Sequence, residues 1–147
     1  MRCHPLLQDF EAPRSPTLGP YHLEVLAPKA VQEDYAAVIE STDRLTGFMG
    51  GTWPRGLTLE ANGIDLCWHA KEFDLNRSFA WIVRNAEGIY QGCAYIFPDF
   101  GGTGAQVSVW IRSSADPETQ EAALVSLMRD WLAGPDWPNM DFRFTTP

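Results

Sequence analysis

From Ala105 to Arg112 the chain alternates without a slip, with Ala105, Val107, Val109 and Ile111 on one side and Gln106, Ser108, Trp110 and Arg112 on the other. A period of two sustained over this length marks a strand with one face in a core. Asp116 then offers an N-cap and Pro117 sits at the first helical position. Leu124, Leu127, Met128, Trp131 and Leu132 line one face of the helix that follows, and Gly134-Pro135 stops it.

The rest of the chain arranges itself around that strand–turn–helix. Pro5, Pro13, Pro16 and Pro20 interrupt residues 1–20, where neither a helical nor a strand period survives, so this segment reads as an irregular arm along the domain surface. Residues 21–147 read as a single domain. Tyr21, Leu23 and Val25 alternate as a short strand, and Val31, Tyr35, Val38, Ile39 and Thr42 predict a helix between Lys29 and Leu45. Gly47, Gly50, Gly51, Pro54 and Gly56 mark a loop. Thr58 caps a second helix near 59–74, with Leu59, Leu66, Ala70 and Phe73 on one side. Phe79–Arg84 and Ile89–Phe97 form a hairpin, the glycines of 101–104 make a turn, and Met140, Phe142 and Phe144 share one side of a last strand. The order is β-α-α-β-β-β-α-β.

Eleven Lys plus Arg against nineteen acids leave a net charge of −8, so the chain is expected to bind neither nucleic acid nor an anionic membrane. Its 147 residues suffice for one core. Three cysteines, Cys3, Cys67 and Cys93, show neither a disulfide framework nor zinc spacing, so a cytoplasmic location and no metal are expected. No run of apolar residues is long enough to span a bilayer.

Two helices after a first strand, a three-stranded meander, a long helix and a fifth strand resemble the GNAT N-acetyltransferase superfamily over Tyr21 to Phe144. The resemblance implies an α+β fold with a mixed, mostly antiparallel sheet and helices on both faces. In that family the fourth strand pairs by backbone with the pantetheine of acetyl-CoA, and a Gln/Arg-x-x-Gly-x-Gly/Ala turn receives the pyrophosphate at a helix N-terminus. Carried onto this chain, Val109 and Ile111 would meet the pantetheine and Arg112, Ser113, Ser114 and Ala115 the pyrophosphate. Arg112 holds the Gln/Arg position, but Ala115 and Pro117 stand where glycines belong. Pro117 has no N–H to donate, Ala115 resists positive φ, and Asp116 and Glu118 place negative charge beside an anionic ligand. Ser114 and Asp116 equally well cap a helix. The family's fourth helix and two last strands have no counterpart after the fifth strand. Its edge, around Asp141 to Phe144, is therefore expected to be covered by the Pro-rich arm or by a second subunit in a homodimer.

Asp65, His69 and Glu72 fall on one face of the second helix, as an acid–base cluster or as an ordinary solvated face. The resemblance puts this helix beside the acceptor, which makes His69 and Glu72 the candidate catalytic residues. The fourth strand offers Gln106 and Ser108 where relatives often carry a general base, and neither accepts a proton as a carboxylate does. Trp53, Trp68, Trp81, Tyr95 and Trp110 are candidates for an aromatic substrate pocket or for core packing. Two functions follow from the resemblance: an acetyl-CoA-dependent N-acyltransferase acting on a small amine or peptide amine, or a catalytically inactive module that binds a small molecule or a protein.

Overall fold

The computed structural model describes residues 3–147. Strands β1 (Thr17–Leu18), β2 (Tyr21–Val25), β3 (Phe79–Arg84), β4 (Tyr90–Pro98), β5 (Gly104–Ile111) and β6 (Asp141–Thr145) form one sheet in sequential order. All neighbours are antiparallel except β5 and β6, which run parallel. The helices are α1 (Val31–Glu40), α2 (Thr42–Leu45), α3 (Leu59–Asp74) and α4 (Pro117–Leu132), with single-turn helices at Pro5–Leu7 and Pro28–Ala30. The fold is α+β, as the element order predicts.

Both faces of the sheet are covered, and strand alternation sorts the core in two. Trp81, Val83, Val107, Val109 and Ile111 pack with Leu124, Met128 and Leu132 of α4. Ile82, Tyr90, Cys93, Tyr95 and Trp110 pack on the other face with Ala37, Val38 and Leu66 of α1 and α3. Each of these large side chains contributes roughly 2 kcal/mol by leaving water. At Gly92 strands β4 and β5 come so close that a Cβ would lie 1.9 Å from the Trp110 carbonyl oxygen.

Three local expectations change. The predicted helix over Lys29–Leu45 is broken at Ser41, where α1 ends and α2 begins. The arm is more than a surface strap: Leu7, Ala12 and Leu18 are buried, β1 extends the sheet, and the Asn76 side chain donates to the Leu7 and Phe10 carbonyls. With β1 beside β2, at the far end of the sheet, the described residues of the arm supply no strand to the β6 edge.

Candidate functional site

The strand–turn–helix places its groups as its sequence pattern demands, yet most of them are already matched. The Arg112 N–H bonds the Gln91 carbonyl across to β4, so alternation turns the N–H groups of Val109 and Ile111 toward the other side. β6 pairs with β5 only as far as Ser108–Thr145, so Val109–Ile111 run on without a strand partner there. This opening is where a backbone-pairing ligand would lie.

A partly buried ion pair reaches into it. The Glu121 carboxylate accepts from the Ile111 N–H at 2.9 Å and takes two bonds from Arg44, at 2.8 and 2.9 Å. Arg44 also donates to the Ile111 carbonyl at 3.1 Å. Glu121 comes from α4 and is 4% exposed, Arg44 from α2 and 24% exposed. Bidentate geometry plus strand contacts satisfies both charges, which a buried pair needs to repay its desolvation.

The turn after β5 is capped in the same way. The Glu40 carboxylate, at the C-terminal end of α1, accepts from the Ser114 N–H at 3.0 Å, from the Ser114 hydroxyl at 2.8 Å, and from Arg112 at 2.7 and 3.2 Å. The Ser113 N–H goes to Ser41 Oγ at 3.0 Å and the Ala115 N–H to the Arg112 carbonyl at 3.0 Å. Three successive backbone donors are thus committed within the chain, two of them to residues at the α1–α2 break. Arg112 hydrogen bonding outweighs burial and, with Ser114 adding, holds the Glu40 carboxyl at about 2 against its ordinary 4.5. The carboxylate is therefore anionic throughout the physiological range. Asp116 adopts φ 50 and makes no side-chain cap bond, so the expected N-cap is not formed.

The aromatic candidates divide between the two faces of the sheet, and only Trp53, Tyr95 and Trp110 share a cluster. Trp81 is fully buried on the α4 face, and its indole N–H donates to the Pro13 carbonyl at 3.0 Å. Trp110 and Tyr95 are buried on the opposite face, bonded to each other at 3.0 Å. Trp53 lies in the loop before α3 and packs against that second cluster. Only Trp68 is open to solvent, at 48%. Its ring lies 5.0 Å from His69, which lies 5.5 Å from Tyr95, which stacks on Phe97 at 5.7 Å.

His69 and Glu72 are buried rather than part of a solvated face. His69 Nε2 lies 3.4 Å from Asp65, while Glu72 pairs with Arg77, so the three do not form a single cluster. Beside them a cavity of about 650 Å³ lies between α3, the end of β4 and the arm. Trp68, Glu72, Ser78, Phe97, Asp99 and Phe100 are among its lining residues.

No family model matches the sequence, and no curated protein matches it. Solved structures do match. A RimL ribosomal L7/L12 α-N-protein acetyltransferase in complex with coenzyme A superposes with a TM-score of 0.66 at 14% identity, over 83% of this chain and 69% of that one. A ribosomal-protein-S5-alanine acetyltransferase from Vibrio fischeri gives 0.64 at 14%, over 82% and 67%. A spermidine N-acetyltransferase from Vibrio cholerae, in complex with CoA and spermine, gives 0.58 at 10%, over 77% and 63%. The chain has the GNAT fold.

On the GNAT frame, the residues bonded to the turn and to the Ile111 N–H are the ones sequence reading missed. Arg112, Ser113, Ser114 and Ala115 do form the turn after β5, but Glu40, Ser41, Arg44 and Glu121 were not among the candidates. Nothing local marks them. Arg44 and Glu121 are 77 positions apart, and Glu40 and Ser114 are 74. The available hint was an unusual one for a phosphate turn, acids and a proline where neutral glycines belong.

Proposed function

We propose that this chain is a GNAT-fold protein whose acetyl-CoA cleft is closed by its own side chains, and that it works as a binding module without acetyl transfer. The observation that carries this reading is the Glu40 carboxylate seated on the Ser114 N–H and Arg112, at the turn where the resemblance would put the family's pyrophosphate. An incoming phosphate would have to displace a carboxylate that already makes four hydrogen bonds, and Asp116, Pro117 and Glu118 give it little in exchange. Glu121 on the Ile111 N–H denies the pantetheine one of its two expected backbone partners.

One observation favours the other reading, an N-acyltransferase acting on a small amine or peptide amine. The β5–β6 opening persists beyond Ser108, and structures with this fold hold coenzyme A. On that reading Glu40 and Glu121 swing aside when the cofactor binds. Calorimetric titration with acetyl-CoA separates the two, with the Arg112→Glu variant as control. The binding-module reading expects no heat at millimolar acetyl-CoA. Micromolar binding that the variant loses would establish the acyltransferase reading and justify a search for the acceptor amine.

A further inference from the structure

We infer a second binding site, for a small carboxylate with an apolar body, in a cavity of about 340 Å³ between the C-terminal end of α4 and the start of β6. Its volume lies at the lower end of ordinary small-molecule sites. The site is apart from the cleft. The β5–β6 opening begins beyond Ser108–Thr145, whereas this cavity is walled by residues between Arg129 and Phe144. The inference goes beyond the binding-module reading and uses none of the groups bonded in the cleft.

The sequence builds the cavity where α4 stops. Gly134-Pro135 ends the helix, and the chain crosses to β6 through Trp137 and Met140, both buried. Leu132, Met140, Phe142 and Phe144 supply the apolar wall. Arg129, in the last turn of α4, is the one charged side chain among the described residues that line it. Its guanidinium lies over the Phe144 ring, 4.4 Å from the centroid, and has no hydrogen bond or ion pair within the described residues. A guanidinium stacked on a ring keeps the N–H donors of its own plane free for a carboxylate. Nearby negative charge does not cancel it. Asp130, Asp136 and Asp141 are exposed and stand outside the lining, where water and salt screen them. Glu121, farther up α4, is already matched by Arg44. The end of α4 carries about half a negative charge, which the full charge of Arg129 exceeds.

Trp137 adds a donor to the wall. It is 5% exposed, and its indole N–H has no acceptor among the described residues. A buried indole N–H without a partner is uncommon in a folded protein and calls for an explanation. Phe10, Trp131, Phe79 and Phe142 surround the ring with centroids at 4.7, 5.2, 5.6 and 6.4 Å, and none of these side chains carries an oxygen. The cavity is the open side from which an acceptor can arrive. The polar side chains of the lining are thus Arg129, Trp137 and Asn139. All three donate, and the first two only donate, which selects an anion over an ammonium. The carboxylate would lie against Arg129, with its apolar body along Phe142 and Met140 toward Trp137.

The test is calorimetric titration of the whole chain with phenylpropionate, an anion at neutral pH, with phenylpropionamide, its neutral counterpart, and with phenylethylamine, a cation. Phenylpropionate is expected to bind, the amide to bind at least about tenfold more weakly and the amine to give no heat. Arg129→Gln, at an exposed position and checked for folding by circular dichroism, is expected to weaken phenylpropionate at least about tenfold. The Trp137 indole N–H resonance should shift as phenylpropionate saturates the chain. It is identified by its loss in Trp137→Phe or, if that variant fails to fold, by sequential assignment of the wild type. Absence of phenylpropionate binding, equal or tighter binding of the amide or the amine, wild-type affinity in Arg129→Gln, or an unmoved Trp137 resonance would overturn the proposal. Since no group bonded in the cleft takes part, this result and the acetyl-CoA titration are read independently.

Discussion

The cleft beside β5 and the cavity beside α3 border the same sheet and differ in how their polar groups are matched. In the cleft, the donors of Ile111, Ser113, Ser114 and Ala115 and the charges of Arg44 and Arg112 all have partners within the chain. In the cavity, the Ser78 hydroxyl has none among the described residues and two large rings face solvent. A fold fixes where strands and helix ends lie, but whether a site is open depends on a few residues from distant segments. On the proposed reading, two glutamates decide it here.

The comparison breaks first, and with the largest effect, at Arg44. If Glu121 is as buried and as dependent on its partner as the geometry indicates, Arg44→Ala strands a carboxylate and lowers stability by about 3 kcal/mol. Urea unfolding measures this, and a loss under about 0.5 kcal/mol would mean the pair behaves as an ordinary surface contact. Next is Glu40, which is more exposed and more screened by water. Glu40→Ala is expected to cost only about 0.5 kcal/mol. The same variant empties the turn, and inorganic pyrophosphate should bind it at least about tenfold more tightly than it binds wild type, read by calorimetry.

The pH dependence of Glu40 sharpens the point. Its folded carboxyl sits at about 2, below its ordinary 4.5, so its contribution is fully present above the ordinary value and is lost as pH falls toward the folded one. The difference in urea midpoint between wild type and Glu40→Gln should therefore stay constant above pH 5 and shrink toward pH 2. A difference that grew on acidification would contradict the assignment. The smallest effect is at Ser78. Its hydroxyl has no partner among the described residues to lose, so Ser78→Ala should leave stability unchanged or raise it slightly, within about 0.5 kcal/mol. A clear loss would show that the hydroxyl is engaged after all.

Much of the frame was legible because strand and helix periods are local. The alternation of Ala105–Arg112 gave β5, and the Thr58 cap and Gly134-Pro135 stop bounded helices now seen at Leu59–Asp74 and Pro117–Leu132. The degraded turn was also legible, since it needed only the absence of glycine at Ala115 and Pro117. What replaced its ligand was not, because Glu40 and Glu121 reach it through tertiary contacts that no spacing rule encodes. The aromatic pocket misled for a related reason. Trp81 and Trp110 lie on opposite faces of the sheet, and composition cannot tell a core indole from a solvent-facing one such as Trp68. The burial of Glu72 likewise follows from Arg77, just before β3, rather than from helix periodicity.

A crystal structure determined in the presence of millimolar coenzyme A tests the closed cleft most directly. The account predicts Glu40 on the Ser114 N–H and Arg112, Glu121 on the Ile111 N–H, and no cofactor between β5 and β6. Pyrophosphate density at Ser113–Ala115 with Glu40 turned away would contradict it and return the chain to the acyltransferases.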